Sequence, residues 1–180
     1  MRFGSLEAFI DIGRYDSAAK AYFESSDHYI GFAPPMAFYT VVVRRSIRGL
    51  WGQVPGELVG LAMFGRPTSP KHPQDGSWME NTRTVLNDGL PYGTASAVLR
   101  KGWREAARRG AIVGIAYHDR TRHSGCCYRK AGMNKSGTVC PSRRGWGSRP
   151  GRRSSHQPPT PKRRWSIDLT ALGANLEVVR

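Results

Sequence analysis

The chain has 180 residues, of which 39% are hydrophobic, and its formal net charge is +15. This length predicts a single domain with a packed core over residues 1–180 and argues against two full domains. The sequence holds no apolar run long enough to cross a membrane and no signal-peptide pattern at its start, so we expect a cytoplasmic protein without a membrane partner.

The excess positive charge lies in the second half of the sequence. Residues 1–100 contain 10 lysines and arginines against 9 acidic residues, whereas residues 101–180 contain 18 against 4. This asymmetry predicts a polyanionic partner, because basic side chains that neutralise phosphates release condensed counterions. Nucleic acid is the first candidate, and a solvated basic surface is the alternative.

The first predicted element is a helix over residues 16–25, capped by Asp16 or Ser17. The residues expected on its inner face are Ala18, Ala21 and Tyr22. Two prolines in residues 31–36 then predict a surface loop, because proline fixes its own φ and disfavours a helical conformation of the residue before it.

Three strands are predicted next. Residues 37–45 and 57–65 are rich in β-branched and aromatic side chains, and we expect them to be antiparallel neighbours joined by a turn-rich connection at residues 46–56. A mobile loop at residues 67–77 precedes the third strand, residues 78–86, in which polar and apolar side chains are interleaved.

The clearest helix of the sequence covers residues 94–109, between Gly93 and Gly110. Its apolar residues recur at helical spacing on one side, and its arginines lie on the other. Residues 111–117 follow as an unbroken apolar run, which is typical of a buried strand. The helix is therefore expected to cross over between two central strands.

The remaining sequence is basic. Residues 141–161 are loaded with arginine, glycine, serine and proline, and they predict a basic loop without a regular element. Residues 162–169 predict a last strand, and we expect residues 170–180 to form a frayed tail.

Two histidines and two adjacent cysteines, His118, His123, Cys126 and Cys127, are candidates for a metal site or a nucleophile. Zinc ligands usually lie about two to four residues apart within each pair, and adjacent cysteines point apart, so no metal is expected. These cysteines and Cys140 are expected to be reduced, and a buried cysteine usually packs as a small hydrophobe.

A glycine-containing turn precedes the helix of residues 94–109. Gly93, Thr94, Ala95 and Ser96 would present backbone N–H groups and the positive end of the helix dipole to an anion. The turn is therefore a candidate for binding the phosphates of a cofactor, and an ordinary helix cap is the alternative.

The order of these elements resembles the GNAT acyltransferase fold. That fold is an α/β (α+β) domain with a mixed, mostly antiparallel sheet flanked by helices, whose central strands splay around a cleft for an acyl donor. The stretch "LPYGTA" keeps only Gly93 and Ala95 of the usual Q/R-x-x-G-x-G/A turn.

Within that fold, the sequence resembles the phage Mom family of DNA-modifying proteins. The motifs that carry this resemblance are "DHYIG" (27–31), "ELVGLAMFGRP" (57–67), "ENTRTVL" (80–86), "AYHDRTRHSGCCYRKAGM" (116–133) and "PKRRWSID" (161–168). The departures from the family pattern are "CCYRKAGM", where the family has a tyrosine, glutamine, alanine and aromatic run, and the arginine-rich insertion at residues 142–153.

The resemblance implies a phage-encoded, acyltransferase-like enzyme in the host cytoplasm. It would convert N6 of adenine in double-stranded DNA into a carbamoylmethylated amine and so protect phage DNA from host restriction. The implied acyl donor is an acetyl-CoA-like thioester or a glycyl donor such as glycyl-tRNA. Adenine N6 is a weak nucleophile because its lone pair is delocalised into the ring, so the enzyme must orient it, remove a proton and stabilise an oxyanion. To reach the base within a duplex, it must also flip the base out.

The resemblance also implies one wall of an active site. His28 and Tyr29 would face the substrate, with His28 as the general base. Arg83 would bind a phosphate or orient a carbonyl. The alternatives are a surface histidine beside a structural tyrosine, and a cross-strand ion pair for Arg83.

The opposite wall is expected to contain Tyr117, Asp119, His123 and Tyr128. Asp119 would orient a histidine or the adenine amine, and Tyr128 would protonate the departing group, although a core tyrosine is the alternative. The residues expected to contact nucleic acid are Arg143, Arg144, Trp146, Arg149, Arg152, Arg153, Lys162, Arg163 and Arg164. Two other functions stay open: a non-catalytic nucleic-acid-binding accessory protein on the same fold, and an ordinary GNAT acetyltransferase.

Overall fold

The computed structural model describes residues 8–26, 28, 37–49, 52–140 and 160–174. Within these residues the chain forms seven strands and four helices. In chain order they are β1 (Ala8–Gly13), α1 (Ser17–Glu24), β2 (Ala37–Gly49), β3 (Gly52–Gly65), β4 (Trp78–Leu86), α2 (Thr94–Arg108), β5 (Val113–Asp119), α3 (Cys126–Lys130), β6 (Asn134–Val139), β7 (Lys162–Asp168) and α4 (Thr170–Ala174).

The strands form one sheet in the order β1-β2-β3-β4-β5-β7-β6. Neighbouring strands are antiparallel except for β4 and β5, which are parallel. Parallel neighbours need a crossover connection, and α2 provides it. The predicted crossover and the predicted mixed, mostly antiparallel sheet are both confirmed.

The predicted break between the second and third strands is wrong over most of its length. β2 continues to Gly49 and β3 begins at Gly52, with Ile47 directly opposite Val54. Cross-strand pairing therefore runs through the glycine- and proline-containing stretch. Pro55 is tolerated there because this part of β3 has no β4 residue beside it that would need its missing N–H group.

Helix α1 has the predicted cap but a different inner face. The Asp16 carboxylate accepts a hydrogen bond from the Ala19 backbone N–H over 2.9 Å. Ala19 and Phe23 are the buried residues of this helix, packed with a small cluster in β3. The expectation that Ala18 and Ala21 face inward is wrong: both are exposed, because the stripe that faces the sheet is centred one position later, on Ala19 and Phe23.

Helix α2 packs closely on the sheet through aromatic side chains. The Trp103 and Phe64 rings meet edge to face with centroids 4.9 Å apart, and Phe64 stacks on Tyr39 at 5.2 Å. The Tyr39 hydroxyl donates to the Gly102 carbonyl over 2.8 Å. A Cβ atom at Gly102 would lie 2.1 Å from the Phe64 ring, so the close approach of helix and sheet requires glycine here.

The end of the described chain is more ordered than the sequence suggested. The predicted last strand is confirmed as β7, but residues 170–174 form α4, and Leu169 just before it is fully buried. The prediction of a frayed tail is therefore wrong for residues 170–174, and residues 175–180 lie outside the described residues. None of the four described helices is long and apolar enough to span a membrane.

Candidate active site between two central strands

Strands β4 and β5 separate partway along their length. They pair from Trp78 opposite Val113 to Asn81 opposite Ala116, and a pocket of about 60 Å³ opens beyond that point. The pocket is lined by His28, Asn81, Thr82, Arg83, Thr84, Tyr117, His118, His123 and Tyr128. Polar and ionisable side chains thus converge where the two parallel strands diverge.

A β-bulge interrupts β4 at the pocket. Met63 of β3 lies opposite Arg83, but the next residue, Phe64, lies opposite Asn81, so Thr82 is the extra residue. The Asn81 amide and the Thr82 hydroxyl both donate to the Met63 carbonyl over 3.2 Å. Bulges re-aim side chains and interrupt regular pairing, and this one lies where β4 leaves β5.

His118 lines the pocket although only 4% of it is exposed. The Trp165 indole N–H donates to Nδ1 of His118 over 2.7 Å. The His118 and Tyr128 rings stack with centroids 5.6 Å apart, and Tyr128 stacks on Trp165 at 5.7 Å. Burial, and then the charge of His123, lowers the pKa of His118, so this imidazole is neutral at pH 7.

His28 and Arg83 bring an imidazole and a guanidinium to the same pocket. The His28 ring packs on Phe23 of α1 with centroids 4.8 Å apart. Burial, followed by the charge of Arg83, lowers the pKa of His28 to about 4. The ring is therefore unprotonated at neutral pH and can accept a hydrogen bond or a proton. Arg83 is 8% exposed, and its Nη1 donates to the Thr82 carbonyl over 2.6 Å.

Tyr117 is positioned by a histidine from the loop before β4. Its hydroxyl lies 3.1 Å from Nε2 of His72, and the His72 ring stacks on Trp78 at 4.9 Å. Burial raises the pKa of Tyr117, and the charge of Glu80 adds to that effect. Glu80 is itself buried, and burial raises its pKa even though its carboxylate accepts a 2.6 Å hydrogen bond from the Thr68 backbone.

Asp119, next to His118 at the end of β5, is fully buried and does not line the pocket. Its carboxylate accepts hydrogen bonds from the Thr121 backbone at 2.8 Å, the Thr121 hydroxyl at 2.6 Å and the Thr160 hydroxyl at 2.6 Å. Burial alone would raise the pKa of Asp119, but these hydrogen bonds outweigh it, and the pKa lies below its ordinary value. Asp119 thereby ties the loop after β5 to the residues that lead into β7.

An open groove of about 640 Å³ lies at the start of α2. Of the predicted donor-binding residues, Gly93, Thr94 and Ser96 line it and Ala95 does not. Gly93 has a φ of +94° and offers the helix no side-chain cap. The Thr94 hydroxyl turns back to the Pro91 carbonyl and the Ser96 hydroxyl to the Gly93 carbonyl. Neither hydroxyl therefore competes with an anion for the N–H groups of Ala95 and Ser96, whereas the Thr94 N–H donates to the Pro91 carbonyl over 3.1 Å.

The structure brings five of the seven predicted catalytic residues to one pocket. These residues are His28, Arg83, Tyr117, His123 and Tyr128. Asp119 does not line the pocket, and Tyr29 lies outside the described residues.

The predicted nucleic-acid contacts fall into two groups. Lys162, Arg163 and Arg164 lie half-buried on β7, beside β5, and Arg164 donates to the Ser136 carbonyl over 2.9 Å. Burial, and then the charge of Arg83, lowers the pKa of Lys162. The members outside the described residues are Arg143, Arg144, Trp146, Arg149, Arg152 and Arg153.

Sequence reasoning did not assign catalytic or binding roles to three residues around the pocket. The sequence pattern places His118 only among the candidates for a metal site or a nucleophile, and it indicates no role for Asn81 or His72. A signal for His118 was present, since a histidine within a buried apolar strand needs a partner. No group of three or more His, Cys, Asp or Glu residues in the described part of the chain is placed to hold a metal ion.

Comparison with solved structures identifies the fold. The chain is similar to an N-acetyltransferase from Staphylococcus aureus Mu50, with a TM-score of 0.60 and 17% identity over 91% of this chain and 99% of that one. It is similar to the IAA acetyltransferase from Bacillus cereus ATCC 14579, with a TM-score of 0.58 and 13% identity over 90% and 99%. It is also similar to the aminoglycoside acetyltransferase AAC(6')-Ib, solved with coenzyme A and kanamycin, with a TM-score of 0.59 and 10% identity over 94% and 99%.

Scans of the sequence against protein-family models and curated proteins give no match. Because these neighbours share only 10% to 17% sequence identity with the chain, the similarity concerns the fold alone. The strand order, the parallel central pair and the crossover helix agree with it. The chain therefore has the GNAT fold, as the order of its elements predicted.

Proposed function

We propose that the protein is an acyltransferase that moves a small acyl group from a thioester donor such as acetyl-CoA to an amine. The observation that carries this proposal is the separation of β4 from β5, together with the first turn of α2 after β4, which has no side-chain cap. The extended chain that carries the thioester of such a donor needs a narrow opening between two strands, and the donor phosphates need backbone N–H groups to bind. Two structural neighbours, one from Bacillus subtilis, were solved with coenzyme A.

The residues present fit such a donor. The groove at the start of α2 is lined by Gly93 and by Arg100, which adds a cation near the first turn. The pocket between the strands holds only about 60 Å³, which suits a two-carbon acyl group better than a long chain. We therefore assign the groove to the donor phosphates and the pocket to the acyl group and the acceptor amine.

Three pocket residues have separate roles: a proton acceptor, a proton donor and a hydrogen-bond donor. The donor supplies an activated acyl carbon, on which a C–N bond forms as the C–S bond breaks. His28, unprotonated at neutral pH, accepts the proton that the amine loses. Tyr128 gives a proton to the departing sulfur. His118 presents its remaining ring nitrogen as a fixed hydrogen-bond donor, because Nδ1 is held by Trp165.

Donor binding provides the first test. Acetyl-CoA titrated into the full chain by calorimetry should bind, and Ala97→Glu, in the groove lining, should weaken binding at least about tenfold by repelling the phosphates. Ala18→Glu adds the same charge on the exposed face of α1 and serves as the control. Absence of binding, together with absence of thiol release with any amine, would refute the proposal.

A second candidate acceptor is N6 of adenine in DNA, with an activated glycyl group as the donor. Acyl transfer would release the donor's leaving group and form a glycyl amide on N6. The free glycyl amine would then attack C6 through a five-membered ring as the bond from C6 to the original N6 breaks, so that this nitrogen becomes the amide of N6-carbamoylmethyladenine. His28 and Arg83 lie in motifs that carry the resemblance to the Mom family, and their meeting in one pocket favours this candidate. The half-buried Lys162, Arg163 and Arg164 lie on β7 beside β5, and their positive charge also favours DNA as the acceptor.

Mass spectrometry of nucleosides separates these possibilities. DNA from cells that express the chain should contain a modified adenine if DNA is the acceptor. Unmodified DNA with thiol release on small amines would leave an ordinary acetyltransferase. Unmodified DNA with salt-sensitive DNA binding and no thiol release would leave an accessory protein that lacks the chemistry.

A further inference from the structure

The β2–β3 hairpin extends past the pairing of β3 with β4 and past the described part of β1. β4 stops pairing with β3 at Gly60, and the described part of β1 starts opposite Arg45. Past these positions, residues 46–49 and 52–55 pair with each other, and we call them the arm. Four paired residues at about 3.4 Å each extend the arm roughly 13 Å.

The arm lies at the edge of the sheet that holds the candidate active site. β3 runs antiparallel to β4, so the start of β3 lies at the carboxyl end of β4. This is the end at which β4 and β5 open into the pocket. Ser46, at the base of the arm, also lines the groove at the start of α2.

Arginines dominate the charge of the arm and its base. Arg44, Arg45 and Arg48 are all exposed. Over residues 37–65 the sequence has these three cations and a single acidic residue, Glu57. The surface is therefore suited to a polyanion, although the first half of the chain as a whole is nearly neutral.

The open edge of the arm is poorly suited to pairing with another strand. Pro55 has no N–H group to donate, and the exposed carboxylate of Glu57 follows two residues later. Proline and charge on an open edge are common barriers to edge-to-edge association. Ile47 and Val54 nevertheless stay 48% and 40% exposed as a directly opposed pair. At the β3 side of the arm, side chains rather than the strand edge are therefore available for contact.

We infer that the arm binds double-stranded DNA by entering the major groove, with Arg45 and Arg48 contacting phosphates. A two-stranded ribbon fits the major groove, which is about 12 Å wide. Ile47 and Val54 would provide apolar contact with thymine methyl groups or sugars. The inference rests on the second candidate acceptor for its biological role, but the binding itself requires no acyl transfer.

The test compares two double variants that lose the same charge. Arg45→Gln/Arg48→Gln removes one cation at the base of the arm and one within it, and Arg14→Gln/Arg104→Gln removes two exposed arginines, just after β1 and on α2. Binding of a fluorescent 24-base-pair duplex is measured by anisotropy across a salt series, without any acyl donor. Thermal unfolding checks that both variants fold.

The arm variant should bind at least about tenfold more weakly than the control at 0.1 M salt, with a salt slope smaller by about two. Equal affinity and slope in the two variants would overturn the inference. Loss of binding to tRNA but not to duplex DNA would also overturn it and point to an RNA partner. A chain that binds DNA through the arm but shows no thiol release would refute the proposed acyl transfer and leave this inference standing.

Discussion

Trp165 donates its indole N–H to Nδ1 of His118 over 2.7 Å, and both side chains are buried. An indole nitrogen can only donate, so Nδ1 must be the unprotonated nitrogen of the ring. The proton of the neutral imidazole therefore lies on Nε2. This single bond fixes both the charge and the tautomer of His118, and it makes His118 a hydrogen-bond donor to the pocket rather than a base.

Replacing the indole should release this constraint. In Trp165→Phe, Nδ1 loses its donor, so the pKa of His118 should rise towards the ordinary value near 6.5 and both tautomers should be populated. Stability should fall by about 1–3 kcal/mol, because a buried acceptor is left unpaired. Imidazole ¹⁵N chemical shifts followed against pH measure the pKa and the tautomer. Trp78→Phe, which stacks on His72 instead, is the control; an unchanged His118 titration in Trp165→Phe would contradict the assignment.

Much of the fold could be predicted because its elements carry local signals. The crossover helix has an amphipathic pattern, and the parallel strands on either side of it follow from the connection. β1 and β6 were not predicted. β6, "NKSGTV", is a polar edge strand that pairs only with β7 among the described strands, so its sequence lacks the apolar pattern of a central strand.

The site was harder to predict because it depends on contacts between distant residues. The Trp165 bond to His118 joins positions 47 residues apart, and nothing local in either strand indicates the register that aligns them. Thr82 occupies a bulge that exists only through the pairing of β3 with β4. The meeting of His28 and Tyr128 was predicted through a resemblance rather than from the residues, since spacing along the chain cannot place a loop histidine beside a helix.

Tyr128→Phe tests the assigned proton donor. Removal of the hydroxyl should lower kcat by about 10²-fold or more, within the range for general acid catalysis, while KM for the donor changes little. The stacking on His118 and Trp165 is kept by the phenylalanine ring. Steady-state thiol release gives both parameters. Tyr22→Phe, whose hydroxyl contacts Asn87 away from the pocket, is the control; a wild-type kcat in Tyr128→Phe would show that Tyr128 only packs.

Asp119→Asn tests whether the hydrogen bonds that Asp119 accepts from Thr121 and Thr160 stabilise the fold next to the pocket. The amide cannot accept all three hydrogen bonds, so we expect a loss of about 1–3 kcal/mol in the free energy of unfolding at pH 7. Asp168 accepts the same pair of bonds from Thr170 at an exposed site, and Asp168→Asn should cost less. Urea unfolding measures both. Equal losses would show that burial adds nothing to the contribution of Asp119.

The lowered pKa of His28 predicts how stability depends on pH. The folded-state pKa is about 4 and the ordinary value is 6.5, so between these values the unfolded chain binds more protons than the folded chain. The free energy of unfolding should therefore rise with pH through this window and fall as the solution is acidified. His28→Gln should flatten the curve without abolishing its slope, because burial also lowers the pKa of His72 and His118. Urea unfolding across pH 4–6.5 measures the slope. If His28→Gln kept the wild-type slope, the acid sensitivity would belong to other groups, and His28 would not be the unprotonated group that the proposed proton transfer requires.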